Sequence, residues 1–331
     1  MNDRAISLLN HYDIEVLRTR KGRGAILCDT DKGCLIFKEY TGNPEKIKVQ
    51  NRLLEKVLES GKVPVEAILK TKEEALLIED TDGKKYALKT YFENRECNVR
   101  DMEECREAVK TLAGLHNIMC LGREETQELG ISTFSIGKEY EKHNKELRKV
   151  WRYLRGKGQK SFFETALLQE YDYYLEQALE MTEEWQAFAR ESDLEYIREQ
   201  GMFCHGDYQY HNIIKAGFGF SVINFERCLM DNPVRDLCLF MRKLLEKSNW
   251  SEKLGDGLLD AYNSVRPLSA RSFVELYYRL AYPEKFWKIV NFYYNSGKAW
   301  IPERNREKLS VLSGQEKEKQ AFLDAVFRTI S

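Results

Sequence analysis

A short stretch past the middle of the chain carries side chains suited to acid–base and metal chemistry. His205, Asp207 and Asn212 occur in the order H-x-D-x-x-x-x-N. In this arrangement an aspartate accepts the proton of an attacking hydroxyl, and the asparagine holds a metal ion. The spacing is fairly specific for the catalytic loop of phosphotransferases. It predicts Asp207 as the base and Asn212 as a metal ligand.

A second polar pair follows the apolar run that ends at Ile223. Asn224 stands where a phosphotransferase carries a metal-binding aspartate, and Glu226 lies two residues further on. Mg²⁺ prefers carboxylate oxygens, so an amide at this position should weaken metal binding or activity by at least about 10–100-fold. If residues 223–226 are extended, Glu226 points to the same side as Asn224 and could reach the metal. The sequence therefore predicts weak or absent transfer, and it leaves Glu226 open as a compensating ligand.

Two further polar residues, His205 and Asp236, are expected to stabilise the structure of the site rather than to take part in its chemistry. His205 is expected to bond to backbone and brace the catalytic loop rather than to move protons. Asp236 lies near the start of a helix that follows Asn232-Pro233. The positive end of that helix favours a carboxylate, which could also bond back to the catalytic loop.

The amino-terminal part supplies a candidate phosphate-binding lysine. Cys34–Tyr40 alternates as a strand and places Lys38 on a partly apolar face. Asn43-Pro44 then starts a helix that carries Glu55, the expected ion-pair partner of Lys38. The alternatives are an edge lysine that discourages strand aggregation and a solvated helix carboxylate.

A glycine-containing turn precedes this strand. Short β-type runs at residues 14–16 and 25–28 flank residues 19–24, in which Arg23 and Gly24 are the candidate nucleotide contacts. The turn lacks the third glycine of a kinase phosphate loop. A plain hairpin turn is therefore favoured over a phosphate cradle.

Periodicity divides the chain into a β-rich first part and a helical remainder. Two further strands are predicted at residues 74–80 and 85–92, joined by a hairpin signal. We expect an α+β fold with a β-rich lobe over residues 1–95, a linker near 93–100 and a larger helical lobe over 96–331. A chain of 331 residues is long enough for two cores.

Composition argues against several classes of protein. The formal net charge is −1 at pH 7, so no overall field indicates binding to nucleic acid or to an anionic membrane. The 8 cysteines show no C-x-x-C pair or zinc-type spacing, which is typical of a reducing compartment. No secretory leader or stretch of about 18–20 apolar residues is found. We expect a cytoplasmic protein without a membrane span.

Three motifs together resemble the aminoglycoside phosphotransferase and choline kinase-like superfamily. They are Cys204–Asn212, Val222–Arg227 and Asn232–Leu237, and the resemblance includes Phe37–Tyr40 and the helix end Leu112–His116. Within this superfamily the sequence resembles the CotS-type spore-coat proteins of endospore-forming bacteria. The resemblance implies a bilobal protein kinase-like fold and association with the developing spore coat in the mother cell.

The resemblance also implies roles for the matching residues. Lys38 would contact ATP phosphates, Asp207 would be the base and Asn212 a magnesium ligand, with ATP and Mg²⁺ as cofactors. The chain departs from the family pattern where Asn224 replaces the usual aspartate and Glu226 the usual acidic partner.

Two functions remain open at this point. The first is a degenerate or weakly active kinase-like protein that acts in coat assembly and has other coat proteins as partners. The second is an active ATP- and Mg-dependent kinase that phosphorylates a hydroxyl or amino group of a small molecule. A basic helix face over residues 145–155 is either solvated or a docking surface for an anionic partner. Deposition in the coat after synthesis in the mother-cell cytoplasm is left open.

Overall fold

The structure is a computed structural model that describes residues 7–22, 24–217, 219–295 and 302–328. Its residues group into two compact units, each described separately below. The first unit is drawn from residues 1–132, 198–240 and 260–267, and the second from residues 133–197, 241–259 and 268–331. This grouping follows packing within the chain, and the lobe boundary predicted near residues 93–100 stays a prediction.

The strands of the described residues all lie in the first unit. Their bounds are β1 (Val16–Gly22), β2 (Ala25–Thr30), β3 (Gly33–Glu39), β4 (Ile68–Leu69), β5 (Ile78–Glu79), β6 (Lys85–Thr90), β7 (Phe203–Cys204), β8 (Ile213–Ala216), β9 (Gly219–Val222) and β10 (Leu229–Met230). The main sheet is antiparallel in the order β1-β2-β3-β6-β4, with β5 also paired to β6. Two small pairs, β7 with β10 and β8 with β9, frame the predicted catalytic residues.

Helices make up most of the remaining described chain. Their bounds are α1 (Ile47–Ser60), α2 (Met102–His116), α3 (Arg123–Glu128), α4 (Ile136–Gly156), α5 (Phe162–Phe188), α6 (Glu191–Gln200), α7 (Val234–Lys247), α8 (Glu252–Asn263), α9 (Ala270–Ala281), α10 (Glu284–Asn295), α11 (Pro302–Gly314) and α12 (Glu316–Val326). The predicted α+β class, with a small antiparallel sheet followed by mainly helical chain, is confirmed. None of these helices is both long and apolar enough to span a membrane.

Alternation along β3 determines which side chains face the core. Leu35 and Phe37 are buried, and the Phe37 ring stacks on Tyr86 of β6 at 5.3 Å between centroids. The opposite face carries Lys38. The register pairs Lys38 with Ala87 and Ile36 with Lys89, so Lys38 and Lys89 are diagonal neighbours on the same face of the sheet.

Two local predictions differ from the structure. The basic run predicted as a turn is part of β1 as far as Gly22, which pairs with Ala25 of β2. Of the predicted strand at residues 74–80, Ile78–Glu79 pairs with the sheet. In α1, Leu58 is 41% exposed, because the buried face of the helix is centred on Leu53 and Val57.

The second unit is built on aromatic packing between helices. Tyr140 of α4 stacks on Tyr282 at 3.9 Å between ring centroids, and Tyr171 of α5 meets Phe286 of α10 edge to face at 5.1 Å. The apolar face of α4, including Leu147 and Leu154, is buried. Tyr282 and Phe286 are buried as well and form part of the core of this unit.

Gly201 occupies the tight turn that leads into β7. Its φ is +57°, and a Cβ added there would lie 1.7 Å from the backbone oxygen of Leu121. The Leu121 N–H donates to the Gly201 carbonyl at 3.0 Å, so the two backbones cannot easily separate. Glycine is required here by close approach as well as by conformation.

We predict that Gly201→Ala destabilises the protein far more than Gly217→Ala. Both residues have positive φ, which costs about 1–2 kcal/mol for alanine, but nothing in the described chain lies within 4 Å of a Cβ at Gly217. The additional clash at Gly201 should cost a further ~1–3 kcal/mol. Urea unfolding of both variants checks this, and equal loss of stability would contradict the close approach.

Candidate active site

The predicted catalytic loop between β7 and β8 is held by a buried carboxylate. Asp236, at the start of α7, accepts hydrogen bonds from the backbone N–H of His205 at 2.6 Å and of Gly206 at 2.9 Å. Gly206 has φ of +80°, and a Cβ there would lie 2.1 Å from the Arg227 carbonyl oxygen. The predicted bond from Asp236 back to the loop is therefore present.

The side chains of His116 and Tyr262 orient Asp236. The His116 Nε2 lies 3.1 Å from an Asp236 oxygen, and its Nδ1 lies 2.8 Å from the Tyr262 hydroxyl. Burial lowers the pKa of His116, so its neutral ring donates to Asp236 and accepts from Tyr262. Burial alone would raise the pKa of Asp236, but the hydrogen bond from His116 brings it below its usual value. From the sequence, His116 was recognised only as part of a helix end, and Tyr262 carried no local signal.

His205 braces the loop from within, as predicted. Its Nε2 donates to the Ile223 carbonyl at 2.9 Å, and its Nδ1 accepts from the Asp207 N–H at 3.1 Å. Both ring nitrogens are used by backbone groups. The ring therefore fixes the spacing between the catalytic loop and the chain that follows β9.

A chain of hydrogen bonds connects Asp207 to Lys38. Asn212 donates to the Asp207 carbonyl at 2.8 Å and to its carboxylate at 3.4 Å, and it accepts from the Asn224 amide at 2.8 Å. Asn224 in turn accepts from the Lys38 ammonium at 2.5 Å. The Gln209 amide also donates to the Asp207 carboxylate. The structure thus brings Lys38, Asp207, Asn212 and Asn224 together within one unit.

The backbone at Asn224 differs from the predicted extended conformation. Its φ of 67° and ψ of 58° are left-handed, and a short 3-10 turn over Phe225–Arg227 follows. Asparagine tolerates this conformation better than most residues. The condition under which Asn224 and Glu226 would point to the same side, an extended chain over residues 223–226, is therefore not met, because the chain turns at Asn224.

Glu226 enters a buried charge cluster, defined here as Lys38, Lys89, Glu66 and Glu226. Its carboxylate lies 3.1 Å from the Lys38 ammonium and 2.6 Å from that of Lys89. Lys89 is 0% exposed and also lies 3.1 Å from Glu66. Glu66 accepts from the Phe225 N–H at 3.1 Å, which ties the cluster to the turn after Asn224.

The cluster balances two ammonium groups with two carboxylates. Burial alone would raise the pKa of Glu226, but Lys89 and Lys38 lower it to about 2. Burial alone would lower the pKa of Lys89, but Glu66 and Glu226 raise it above its usual value. Removing one partner of such a buried pair leaves an uncompensated charge, so the four groups hold one another in place.

The predicted partnership of Lys38 with Glu55 is not formed. Among the described residues the ion pair of Lys38 is with Glu226, whereas Glu55 accepts from Asn51 at 2.8 Å and lies 3.9 Å from Arg52. The Glu55 side chain is 43% exposed because it lies beside the buried face of α1 rather than on it. Gly24 forms part of the β1–β2 hairpin with φ of +68°, and Arg23 lies outside the described residues.

The arrangement does not fit Mg²⁺ at the predicted metal position. The amide oxygens of Asn212 and Asn224 already accept hydrogen bonds from Asn224 and Lys38. The Glu226 carboxylate lies between two ammonium groups. Two like unit charges 4 Å apart repel by about 4 kcal/mol near a protein surface, and a divalent ion beside Glu226 would face both lysines. A carboxylate free of such partners is the ligand that Mg²⁺ favours.

Comparison with known proteins identifies the family. The family model described as "Spore coat putative kinase YutH" matches residues 6–326. The chain belongs to this family of kinase-like spore coat proteins. The chain is also 25% identical over 323 residues to spore coat protein S of Bacillus subtilis (strain 168), covering 95% of this chain and 90% of that protein. The predicted resemblance to spore-coat proteins is confirmed.

Solved structures show the same fold. An aminoglycoside phosphotransferase from Alicyclobacillus acidocaldarius superposes with a TM-score of 0.81 at 19% identity, covering 97% of this chain and 95% of that one. Spectinomycin phosphotransferase APH(9)-Ia, in complex with ADP and spectinomycin, gives 0.68 at 12% identity, with 96% and 97% covered. This likeness confirms the predicted kinase-like fold of the YutH-family chain.

We predict that Glu226→Gln destabilises the protein at neutral pH by about 3 kcal/mol, because it leaves buried ammonium charge uncompensated. The folded-state pKa of Glu226 is about 2, below its ordinary 4.5. Its contribution is therefore complete above about pH 4.5 and is lost as the pH falls towards 2. The variant should lose less stability than wild type over that interval.

Denaturant unfolding across this pH range measures both effects. Glu55→Gln is the matched control, because its exposed carboxylate should change stability by under about 0.5 kcal/mol. Full neutral-pH stability in Glu226→Gln would contradict the charge cluster.

Proposed function

We propose that this YutH-family protein acts in spore-coat assembly through a kinase-like fold whose transfer activity is weak or absent. The observation that carries this proposal is the position of Glu226 between Lys38 and Lys89. In this position the acidic group that follows Asn224 neutralises the protein's own lysines. The name of the relative, spore coat protein S, supports deposition in the coat. The proposal includes synthesis in the mother-cell cytoplasm.

The retained groups support weak nucleotide binding rather than efficient chemistry. The Lys38 side chain is 24% exposed, so in this proposal a phosphate oxygen approaches its ammonium from the solvent side. Asp207 would accept the proton, and its carboxylate accepts a hydrogen bond from Asn212 at 3.4 Å. Phosphoryl transfer depends mainly on positioning and on neutralising phosphate charge. In this proposal the catalytic loop still positions the reacting groups, whereas the charge cluster leaves less positive charge to neutralise the phosphates.

An active small-molecule kinase is the second candidate. It is favoured by the intact hydrogen-bonded chain from Lys38 through Asn224 and Asn212 to Asp207. Activity would require Glu226 to leave Lys89, since its carboxylate would otherwise remain between two cations. The two functions therefore differ in whether nucleotide binding requires a divalent ion.

We predict that ATP raises the melting temperature equally with Mg²⁺ and with a chelator, because the Glu226 carboxylate at the predicted metal position is already paired with Lys38 and Lys89. A ligand that binds only the native state stabilises it by mass action, so differential scanning fluorimetry reports binding directly. Lys38→Ala should abolish the shift, and Lys70→Ala, at a 45% exposed side chain elsewhere, should not. A wild-type shift that requires Mg²⁺ would favour the active kinase.

We predict that Asn224→Asp introduces the missing metal dependence. A carboxylate at this position supplies the charged oxygen that Mg²⁺ prefers, so the ATP-induced shift should become at least about tenfold more sensitive to ATP when Mg²⁺ is present. Asn98→Asp, in the exposed stretch before α2, is the matched control for an added carboxylate. An unchanged response in Asn224→Asp would contradict the role assigned to the amide.

A further inference from the structure

The second unit contains a cavity whose lining includes none of the residues of the candidate active site. Its volume is about 360 Å³, and its walls come from the carboxyl-terminal part of α7, the α9–α10 junction, α11 and the start of α12. Trp250, Leu280, Tyr282 and Leu312 supply apolar and aromatic surface. This volume lies within the range of about 300–1,000 Å³ that is typical of small-molecule sites.

The walls of this basic cavity carry an excess of cations. Six basic side chains line it against three carboxylates, so the lining has a formal charge of +3. The basic residues are Arg242, Lys243, Lys247, Lys285, Lys308 and Lys319. A concave site with one excess charge and low-dielectric walls concentrates ligands of the opposite charge.

Two of the three carboxylates in the lining already form ion pairs with basic side chains of the protein. Glu246 lies 2.5 Å from Lys285 and 3.8 Å from Arg242. Glu284 lies 3.0 Å from Lys288, which is outside the lining. The third carboxylate, Glu307, is exposed on α11, as is Lys308. Lys319 lies 3.8 Å from Glu316, which is outside the lining.

Lys243 and Lys308 have no carboxylate within 4 Å among the described side chains, although Lys308 lies 5.8 Å from the Phe292 ring. Burial lowers the pKa of Lys243, and the nearby cations Lys285 and Lys288 lower it further despite Glu246. Burial also lowers the pKa of Lys308, with Arg304 and Lys285 adding to the effect. A bound anion would relieve the repulsion at both residues.

We propose that the basic cavity is a binding site for a small amphipathic anion, with an aromatic or aliphatic body against Trp250 and Tyr282 and a negatively charged group near the basic side chains of the lining, among them Lys243 and Lys308. The aromatic walls accept the apolar body, and the two ammonium groups donate to the anionic head. All lining residues of the cavity belong to the second unit, whereas Lys38, Asp207 and the charge cluster belong to the first.

Two matched dyes test this site on the full chain. 8-Anilinonaphthalene-1-sulfonate carries an aromatic body and one negative charge, and N-phenyl-1-naphthylamine has the same body without the sulfonate. Fluorescence titration should show one sulfonate dye per chain, bound at least about tenfold more tightly than the neutral dye, since hydrogen bonds to a charged group are stronger than those between neutral groups.

Variants locate the dye and separate charge from hydrophobicity. Lys243→Gln with Lys308→Gln should weaken the sulfonate dye at least tenfold and leave the neutral dye unchanged. Lys149→Gln with Lys253→Gln, which removes two exposed lysines from the same unit, should leave both dyes unchanged. Circular dichroism melting confirms that the variants are folded.

Three results would overturn the proposal. One is equal affinity for the two dyes, which would mean a cavity without anion preference. Another is equal weakening by the cavity variant and the control variant. The third is binding of many dye molecules per chain, which would indicate general surface adsorption.

Discussion

The Glu226 carboxylate between the ammonium groups of Lys38 and Lys89 is the interaction on which the site depends. It joins three separate parts of the first unit: strand β3, strand β6 and the turn after β9. Glu66 completes the charge balance, and its backbone N–H donates to Val222 at the end of β9. Buried ions are costly to desolvate, so this arrangement is stable only while all four charges are present.

The backbone conformation of the catalytic loop and the charge of the turn after Asn224 depend on different residues. Asp236, oriented by His116, fixes the backbone of the catalytic loop through buried hydrogen bonds. Those contacts do not involve the charge cluster. The loop can therefore keep the geometry of a phosphotransferase while Asn224 and Glu226 change the electrostatics of the neighbouring turn. A kinase-like spore coat protein with little transfer activity is consistent with this separation.

Local features of the site could be predicted from the sequence, and features set by tertiary contacts could not. The spacing of Asp207 and Asn212 is a local property, and strand alternation was enough to place Lys38 on the face of β3 that Cys34 and Ile36 share. Lys89 of β6 is the diagonal neighbour of Lys38 on the same face of the sheet. Recognising this from the sequence would require the register between β3 and β6. Sequence spacing also favoured Glu55 as the partner, whereas the turn at Asn224 brings Glu226 there instead.

The charge balance around Glu226 is tested most directly by crystallography with manganese. Crystals grown with a non-hydrolysable ATP analogue and Mn²⁺ would reveal the ion by its anomalous scattering. The account predicts no manganese peak bonded to Asn212, Asn224 or Glu226, and Glu226 still paired with Lys38 and Lys89. A manganese peak coordinated by these residues, with the Glu226 carboxylate turned away from Lys89, would contradict it.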